Sequence, residues 1–263
     1  MKNIFDKIIE NKKIELANRK KQYPSKKLLQ DVSKLLERRK PNDSFIKHLV
    51  KPNGGDIGII AEIKLCSPSA GRLAERQKVR RIVSSYAQAQ ADAVSVVTEE
   101  KFFCGSLELI REIKTTTTLP LLQKDFIMDE YQVLESAKCG SDALLFIAQL
   151  RNEFDVSVFE LCKRYGIVPV IEIVDEKDLN FAEHAEVIGV NARNLIDFTI
   201  DVERACRIIE KLPKEKITIG FSGVKSRKEV EMYKQAGAKA VLVGTGLLKS
   251  TDILSSISNL KNL

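Results

Sequence analysis

The stretch that decides the fold is Ile57-Gly58-Ile59-Ile60-Ala61-Glu62-Ile63-Lys64-Leu65-Cys66-Ser67-Pro68-Ser69-Ala70-Gly71. Ile57 to Ile60 is an apolar, β-branched run with the composition of a strand buried on both faces. Glu62 and Lys64 then appear in the same strand. Side chains two apart on a strand share a face, so these two project together. Burying a carboxylate and an ammonium costs several kcal/mol unless each is well paired. Residues 66–71 follow as a small-residue turn, with hydroxyls and backbone N–H groups open to an anion. Taken alone, the stretch also fits a strand-end ion pair followed by an ordinary loop.

Outward from this strand the chain keeps one rhythm. On the N-terminal side, residues 4–19 and 28–38 have helical spacing, broken at Pro24 and stopped near Pro41. Asp43-Ser44 reads as a cap on a short helix through Leu49, and residues 52–56 as a turn. On the C-terminal side, amphipathic helical patches alternate with short apolar runs at 93–98, 119–124, 142–147, 167–173, 187–190, 216–221 and 240–244. With the opening strand this makes eight strands, each followed by a helix. Such an alternation predicts an α/β fold, a (β/α)8 TIM barrel, which commonly spans about 250 residues as one domain. Residues 1–263 are therefore one barrel domain, with 1–52 as an N-terminal helical extension. No G-x-G-x-x-G loop supports a doubly wound alternative.

Bulk properties narrow the function. The 263 residues are 44% hydrophobic and 30% charged, ordinary for a globular protein. No apolar run of about 18 residues predicts a membrane span, and no signal peptide is apparent. The net charge of +7 is concentrated in residues 1–51, with 15 Lys or Arg against 6 Asp or Glu. These alternate with apolar residues at helical spacing and lack an aromatic platform, so they read as a solvated helix face, with no nucleic acid and no membrane as partner. Five cysteines without a C-x-x-C pair fit reduced thiols in a cytoplasmic protein and give no metal signature. A monomer or weak homodimer is expected.

In this fold chemistry sits at the C-terminal ends of the strands. Polar residues gather there: Glu62 and Lys64, Thr98 and Glu99, Lys124 and Asp125, then Glu172, Asn191 and Arg193. The last two strands end in Ser222-Gly223 and Gly244-Thr245, where backbone N–H groups can approach an anion and barrels often hold a phosphate. A small phosphorylated substrate is the expected ligand.

These motifs resemble the indole-3-glycerol phosphate synthase family. A-E-I-K-L-C-S-P-S-A-G at 61–71 looks like that family's A-E-x-K-x-x-S-P-S-x-G. The segments V-S-V-V-T-E-E-K-F-F-C-G-S at 94–106, L-P-L-L-Q-K-D-F-I-M-D-E-Y-Q at 119–132 and I-G-V-N-A-R-N-L at 188–195 are similar to its later strand signatures. The resemblance covers nearly the whole chain and implies a carboxy-lyase of tryptophan biosynthesis. The reaction closes the ring of 1-(2-carboxyphenylamino)-1-deoxyribulose 5-phosphate with loss of carbon dioxide and water, and needs no metal or organic cofactor.

Carried over by position, the resemblance makes Lys124 the general acid at the ribulose carbonyl and Glu172 the second acid/base group. Lys64 pairs with the substrate carboxylate, and Glu62 is its partner. Asn191 and Arg193 position substrate, and Phe103 and Phe126 wall its aromatic ring. Ser67, Ser222, Gly223, Gly244 and Thr245 hold the phosphate. Spacing does not divide the acid and base roles among Lys64, Lys124 and Glu172. The chain departs from the family pattern at Leu65 and Ala70, where basic residues are usual. It departs again at Phe221, which stands where S-E-S-G has its glutamate. Phe221 keeps two alternatives open: a related barrel enzyme acting on another phosphorylated sugar, or a catalytically impaired sugar-phosphate-binding barrel.

Overall fold

Each apolar run of the sequence is a strand, and in the computed structural model, which describes residues 3–36 and 44–262, the strands close into a cylinder. They are β1 (Gly58–Ile63), β2 (Ala93–Val97), β3 (Leu121–Lys124), β4 (Ala143–Ile147), β5 (Val168–Ile173), β6 (Val187–Asn191), β7 (Ile217–Phe221) and β8 (Ala240–Val243). All pairs are parallel and follow chain order, and β1 closes the ring by pairing with both neighbours: Ile60 stands opposite Leu242 on one side and Ala93 on the other. This is the expected (β/α)8 barrel.

Alternation along each strand sorts the core into two layers. Ile60, Ala93, Leu122, Val170, Ile219 and Leu242 turn into the cylinder. Their neighbours Ile59, Val94, Leu121, Ile171 and Val241 turn outward to the helices. Burying each large aliphatic side chain stabilises by roughly 1.5–3 kcal/mol. Both faces of the strands are buried, which is why they read as continuous apolar runs.

Ahead of the barrel come α1 (Ile4–Gln22), α2 (Ser25–Leu36) and α3 (Ser44–Val50). The first helix runs three residues past its expected end. It stops because Tyr23, which precedes Pro24, is extended with φ −136° and ψ 90°. The second begins directly after Pro24, earlier than the apolar spacing suggested. Its expected end at Arg38, the stop at Pro41 and the Asp43 cap lie outside the described residues. Phe45 and Leu49 of α3 are fully buried in the inner layer and plug the N-terminal end of the cylinder.

Around the barrel run α4 (Val79–Gln88), α5 (Leu107–Lys114), α6 (Glu130–Cys139), α7 (Ser157–Arg164), the short α8 (Leu179–Ala182), α9 (Val202–Lys211) and α10 (Arg227–Ala236). After β8 come α11 (Thr245–Leu248) and α12 (Ile253–Lys261). The last helix returns to the opening strand through Lys261. Its ammonium lies 2.8 Å from Asp92, which in turn accepts from Ile59 N–H at 2.7 Å. Among the described residues, no helix is long and apolar enough to cross a membrane.

Candidate active site

The strand ends build a cavity of about 550 Å³ at the C-terminal mouth, and all thirteen candidate residues border it. Glu62 is the last inward-facing residue of β1. Lys64 lies one residue past the strand, not within it as the sequence suggested. The turn of the chain keeps them together: Lys64 Nζ donates to Glu62 Oε1 at 2.6 Å. Burial pushes the Glu62 carboxyl up, but the Lys64 and Lys124 ammoniums outweigh it and hold the group below its ordinary value. Glu62 is therefore an anion at neutral pH.

Lys124 ends β3 and points inward by the same alternation. Its Nζ is 3.6 Å from Glu62 Oε2 and 3.8 Å from Glu172 Oε2, ion-pair distances longer than a hydrogen bond. Glu172, on β5, is oriented by Asn191 of β6, whose Nδ2 donates to Oε1 at 3.0 Å. Asn191 Oδ1 accepts from the backbone N–H of Arg193, and the Arg193 guanidinium donates to Phe198 O at 3.2 Å. One carboxylate oxygen of Glu172 thus remains directed at Lys124 and the cavity.

Phe103 and Phe126, on the loops after the adjacent strands β2 and β3, pack as a tilted pair at the mouth with ring centroids 6.4 Å apart. Phe5 of α1 backs Phe126 edge-on at 6.0 Å. Ser222 and Gly223 both have left-handed backbone, φ 66° and 80°, which turns the chain sharply off β7. Tyr233 fixes this bend by donating its hydroxyl to Phe221 O and Ser222 O at 3.2 and 3.0 Å. Gly244 has a different necessity. A Cβ there would stand 2.4 Å from Glu62 Oε1, so the glycine makes room for the carboxylate. The Ser67 hydroxyl accepts from Ala70 N–H at 3.1 Å and closes its own loop.

Several features depart from the sequence reading. Thr98 and Glu99 do not line the cavity; both are buried behind it. Glu99 accepts from the N–H groups of Phe102 and Phe103 at 2.7 and 2.9 Å and so shapes the loop that carries Phe103. Lys12 is not on a solvated face. It is 1% exposed, and its ammonium lies 2.9 Å from Asp125, the neighbour of Lys124. The cysteines are not all free thiols: Cys66 and Cys104 form a disulfide, while Cys139, Cys162 and Cys206 are free. The pair forms because Cys66 N–H donates to Phe103 O, which brings the loops after β1 and β2 side by side. A separation of 38 residues carries no local trace of that meeting.

The sequence reading also missed Lys225 and Lys249, which border the cavity beside the Ser222-Gly223 and Gly244-Thr245 loops. Lys249 follows Thr245 by four residues, one helical turn, and that spacing was a usable signal. Leu195, Phe198 and Ile200, from the loop after β6, complete an apolar wall. Phe221 is fully buried beneath Lys124 and does not border the cavity.

The fold and these side chains can be compared with known proteins. By structure, the chain superposes on 3-hexulose-6-phosphate synthase with a TM-score of 0.63 at 14% identity, covering 78% of this chain and 99% of that one, a likeness of fold. By sequence, it is 35% identical to an indole-3-glycerol phosphate synthase of Caldanaerobacter subterraneus, covering 94% of this chain and 93% of the relative. A protein of the same name from Campylobacter jejuni subsp. doylei is 36% identical, over 95% of this chain and 96% of its own. The family model for indole-3-glycerol phosphate synthase matches residues 5–260. With barrel, motifs and near-complete coverage in agreement, the chain belongs to the indole-3-glycerol phosphate synthase family.

Proposed function

We propose that the protein is an indole-3-glycerol phosphate synthase of tryptophan biosynthesis, a carboxy-lyase acting on 1-(2-carboxyphenylamino)-1-deoxyribulose 5-phosphate. The observation that carries the site assignment is the position of Lys124, with its ammonium between Glu62 and Glu172 at the floor of the cavity. Lys64 is held by Glu62 at hydrogen-bond distance, whereas Lys124 has only the longer ion pairs. Among the described residues none of its protons is committed to a hydrogen bond, whereas Lys64 gives one of its three to Glu62.

In the reaction, the ring carbon that bears the carboxylate attacks the ribulose carbonyl carbon. As the carbon–carbon bond forms, the carbonyl oxygen takes a proton from Lys124. Carbon dioxide then leaves, and its bonding electrons restore the aromatic ring. Loss of the new hydroxyl as water and of a proton from the neighbouring carbon completes the indole. Glu172 takes that proton in this reading, which the hydrogen bond from Asn191 to its other oxygen supports. Lys64 pairs with the substrate carboxylate until decarboxylation, with Glu62 holding it in place. Arg193 and Asn191 orient the substrate, whose aromatic ring lies against the wall of Phe103 and Phe126.

The phosphate is assigned to the loops of Ser67, Ser222, Gly223, Gly244 and Thr245, with Lys225 and Lys249 adding positive charge at that end. The site is built from one chain, so a monomer or weak homodimer suffices. A cytoplasmic location, without nucleic-acid or membrane partners, goes with a metabolic enzyme of this kind. The direct test is fluorescence-detected formation of the indole product from the carboxyphenylamino-deoxyribulose phosphate. Product from the purified chain establishes the activity; its absence overturns it and returns attention to other phosphorylated sugars.

A further inference from the structure

Phe221 is the last residue of β7, and strand alternation turns it inward after Ile217 and Ile219. The neighbouring strand β6 places Asn191 opposite it, and Glu172 of β5 and Lys124 of β3 point into the same end of the barrel. Phe221 is therefore the aromatic member of a polar ring of side chains. Its ring is fully buried, and Lys124 Nζ lies over it at 4.7 Å from the centroid, within cation–π range.

The ring has a built seat. On the adjacent strand Gly189 leaves an empty place: a Cβ there would come within 2.4 Å of the ring's Cε2 and Cζ atoms. Any larger residue at 189 would push the ring out from under the ammonium. Lys124 thus rests on three supports, the Glu62 carboxylate, the Glu172 carboxylate and the Phe221 face. The two carboxylates accept protons; the ring attracts the cation without strongly engaging any of its N–H bonds. Charge also balances, since Glu62 and Glu172 are matched by Lys64 and Lys124. A carboxylate in place of the ring, the family's usual residue at this position, would engage the N–H bonds that the ring leaves free.

We propose that Phe221 is a positioning residue for Lys124: its ring face holds the ammonium in place and directs the proton it delivers. The inference rests on Lys124 being the acid of the reaction above. Phe221 itself touches no substrate, so its effect falls on kcat and leaves KM nearly unchanged.

The test replaces Phe221 with phenylalanines carrying one, two, three and five ring fluorines, which drain the negative face at almost constant shape. Turnover to the indole product should fall stepwise along the series, by about 3- to 30-fold in total, with KM within about twofold. A flat series overturns the role. Phe221→Leu, which keeps apolar bulk and removes the ring, should lie at or below the pentafluoro variant.

A second readout does not depend on turnover. In lysine-labelled protein, the Lys124 Cε protons should be shifted upfield by the ring current in the parent and return to the ordinary position in Phe221→Leu. The same position in both proteins overturns the contact. The resonance decides on Phe221 even if the parent makes no indole product, so failure of the reaction and failure of this inference are read separately.

Discussion

Lys12, in the middle of the N-terminal helix, places its ammonium 2.9 Å from Asp125 Oδ1, one residue from Lys124. The other Asp125 oxygen accepts from the Thr98 hydroxyl at 2.8 Å. Burial pulls the Lys12 ammonium down, but the Asp125 carboxylate outweighs it and holds the group above its usual 10.5. The raised proton affinity of Lys12 thus contributes stability that is present below pH 10.5 and fades as the pH rises further. Lys12→Met leaves Asp125 buried and uncompensated, at a cost of about 3–5 kcal/mol. Urea unfolding should show that loss, and kcat should fall with it because the strand end that carries Lys124 has lost its anchor. An unchanged midpoint and rate would mean that the extension only covers the barrel.

Glu135, on α6, gives the pH dependence of stability the same sign but in a lower pH range. Burial pushes its carboxyl up to about 7 from 4.5, and Arg19, at 3.3 Å, only partly offsets this. The folded state therefore binds this proton more tightly than the unfolded chain. Its contribution is fully present below pH 4.5 and is lost as the pH rises toward about 7. The whole effect is at most about 3 kcal/mol. Glu135→Gln should flatten the decline between these pH values and leave the variant the more stable protein at pH 8. A parallel decline in parent and variant would assign the slope to other groups.

How much of this was legible follows from the range over which each feature is encoded. The eight strands and the inward Glu62, Lys124, Glu172 and Asn191 could be read because alternation and strand ends are local patterns. The (β/α)8 topology then carries local patterns to one mouth. Lys12 could not be read this way. Its helix looks like any solvated amphipathic helix until Asp125, more than a hundred residues on, packs against it. The Cys66–Cys104 bond was hidden for the same reason. Phe221 was noticed as a departure at the mouth, but its place under Lys124 depends on the gap at Gly189 on another strand. Thr98 and Glu99 were misjudged because a polar residue at a strand end can also turn back to hold its own loop.

Gly244 tests whether the glycine at the end of β8 serves the carboxylate beside it. With its would-be Cβ 2.4 Å from Glu62 Oε1, Gly244→Ala must displace Glu62 or the strand end. Overpacking of this kind costs about 1–3 kcal/mol. The displaced carboxylate would also release Lys64, so turnover should fall at least about tenfold, in the range of a lost electrostatic group. Near-parental turnover in Gly244→Ala would show that Glu62 tolerates being moved.

The Cys66–Cys104 bond ties the loop of Ser67 to the loop of Phe103, two adjacent loops that both border the cavity. Closing a loop of this length restricts the unfolded chain by about 2–4 kcal/mol. Thermal unfolding with and without a thiol reductant should differ accordingly, and Cys66→Ser should match the reduced parent. If the reduced and oxidised proteins unfold at the same temperature, the bond holds nothing that the surrounding hydrogen bonds do not already hold.

Lys124→Met is the sharpest test of the acid. Methionine keeps most of the length and apolar stem of the lysine while removing the proton and the charge. Glu62 retains Lys64 at 2.6 Å, so the floor of the cavity does not collapse. Loss of a positioned acid lowers turnover by about 10²–10⁴. Affinity for a phosphorylated product analogue, measured by calorimetry, should stay within about threefold, because the loops after β1, β7 and β8 that are proposed to hold the phosphate are untouched. Turnover within about tenfold of the parent would transfer the acid role to Lys64, the other ammonium at the mouth, and Lys64→Met would then have to show the larger loss.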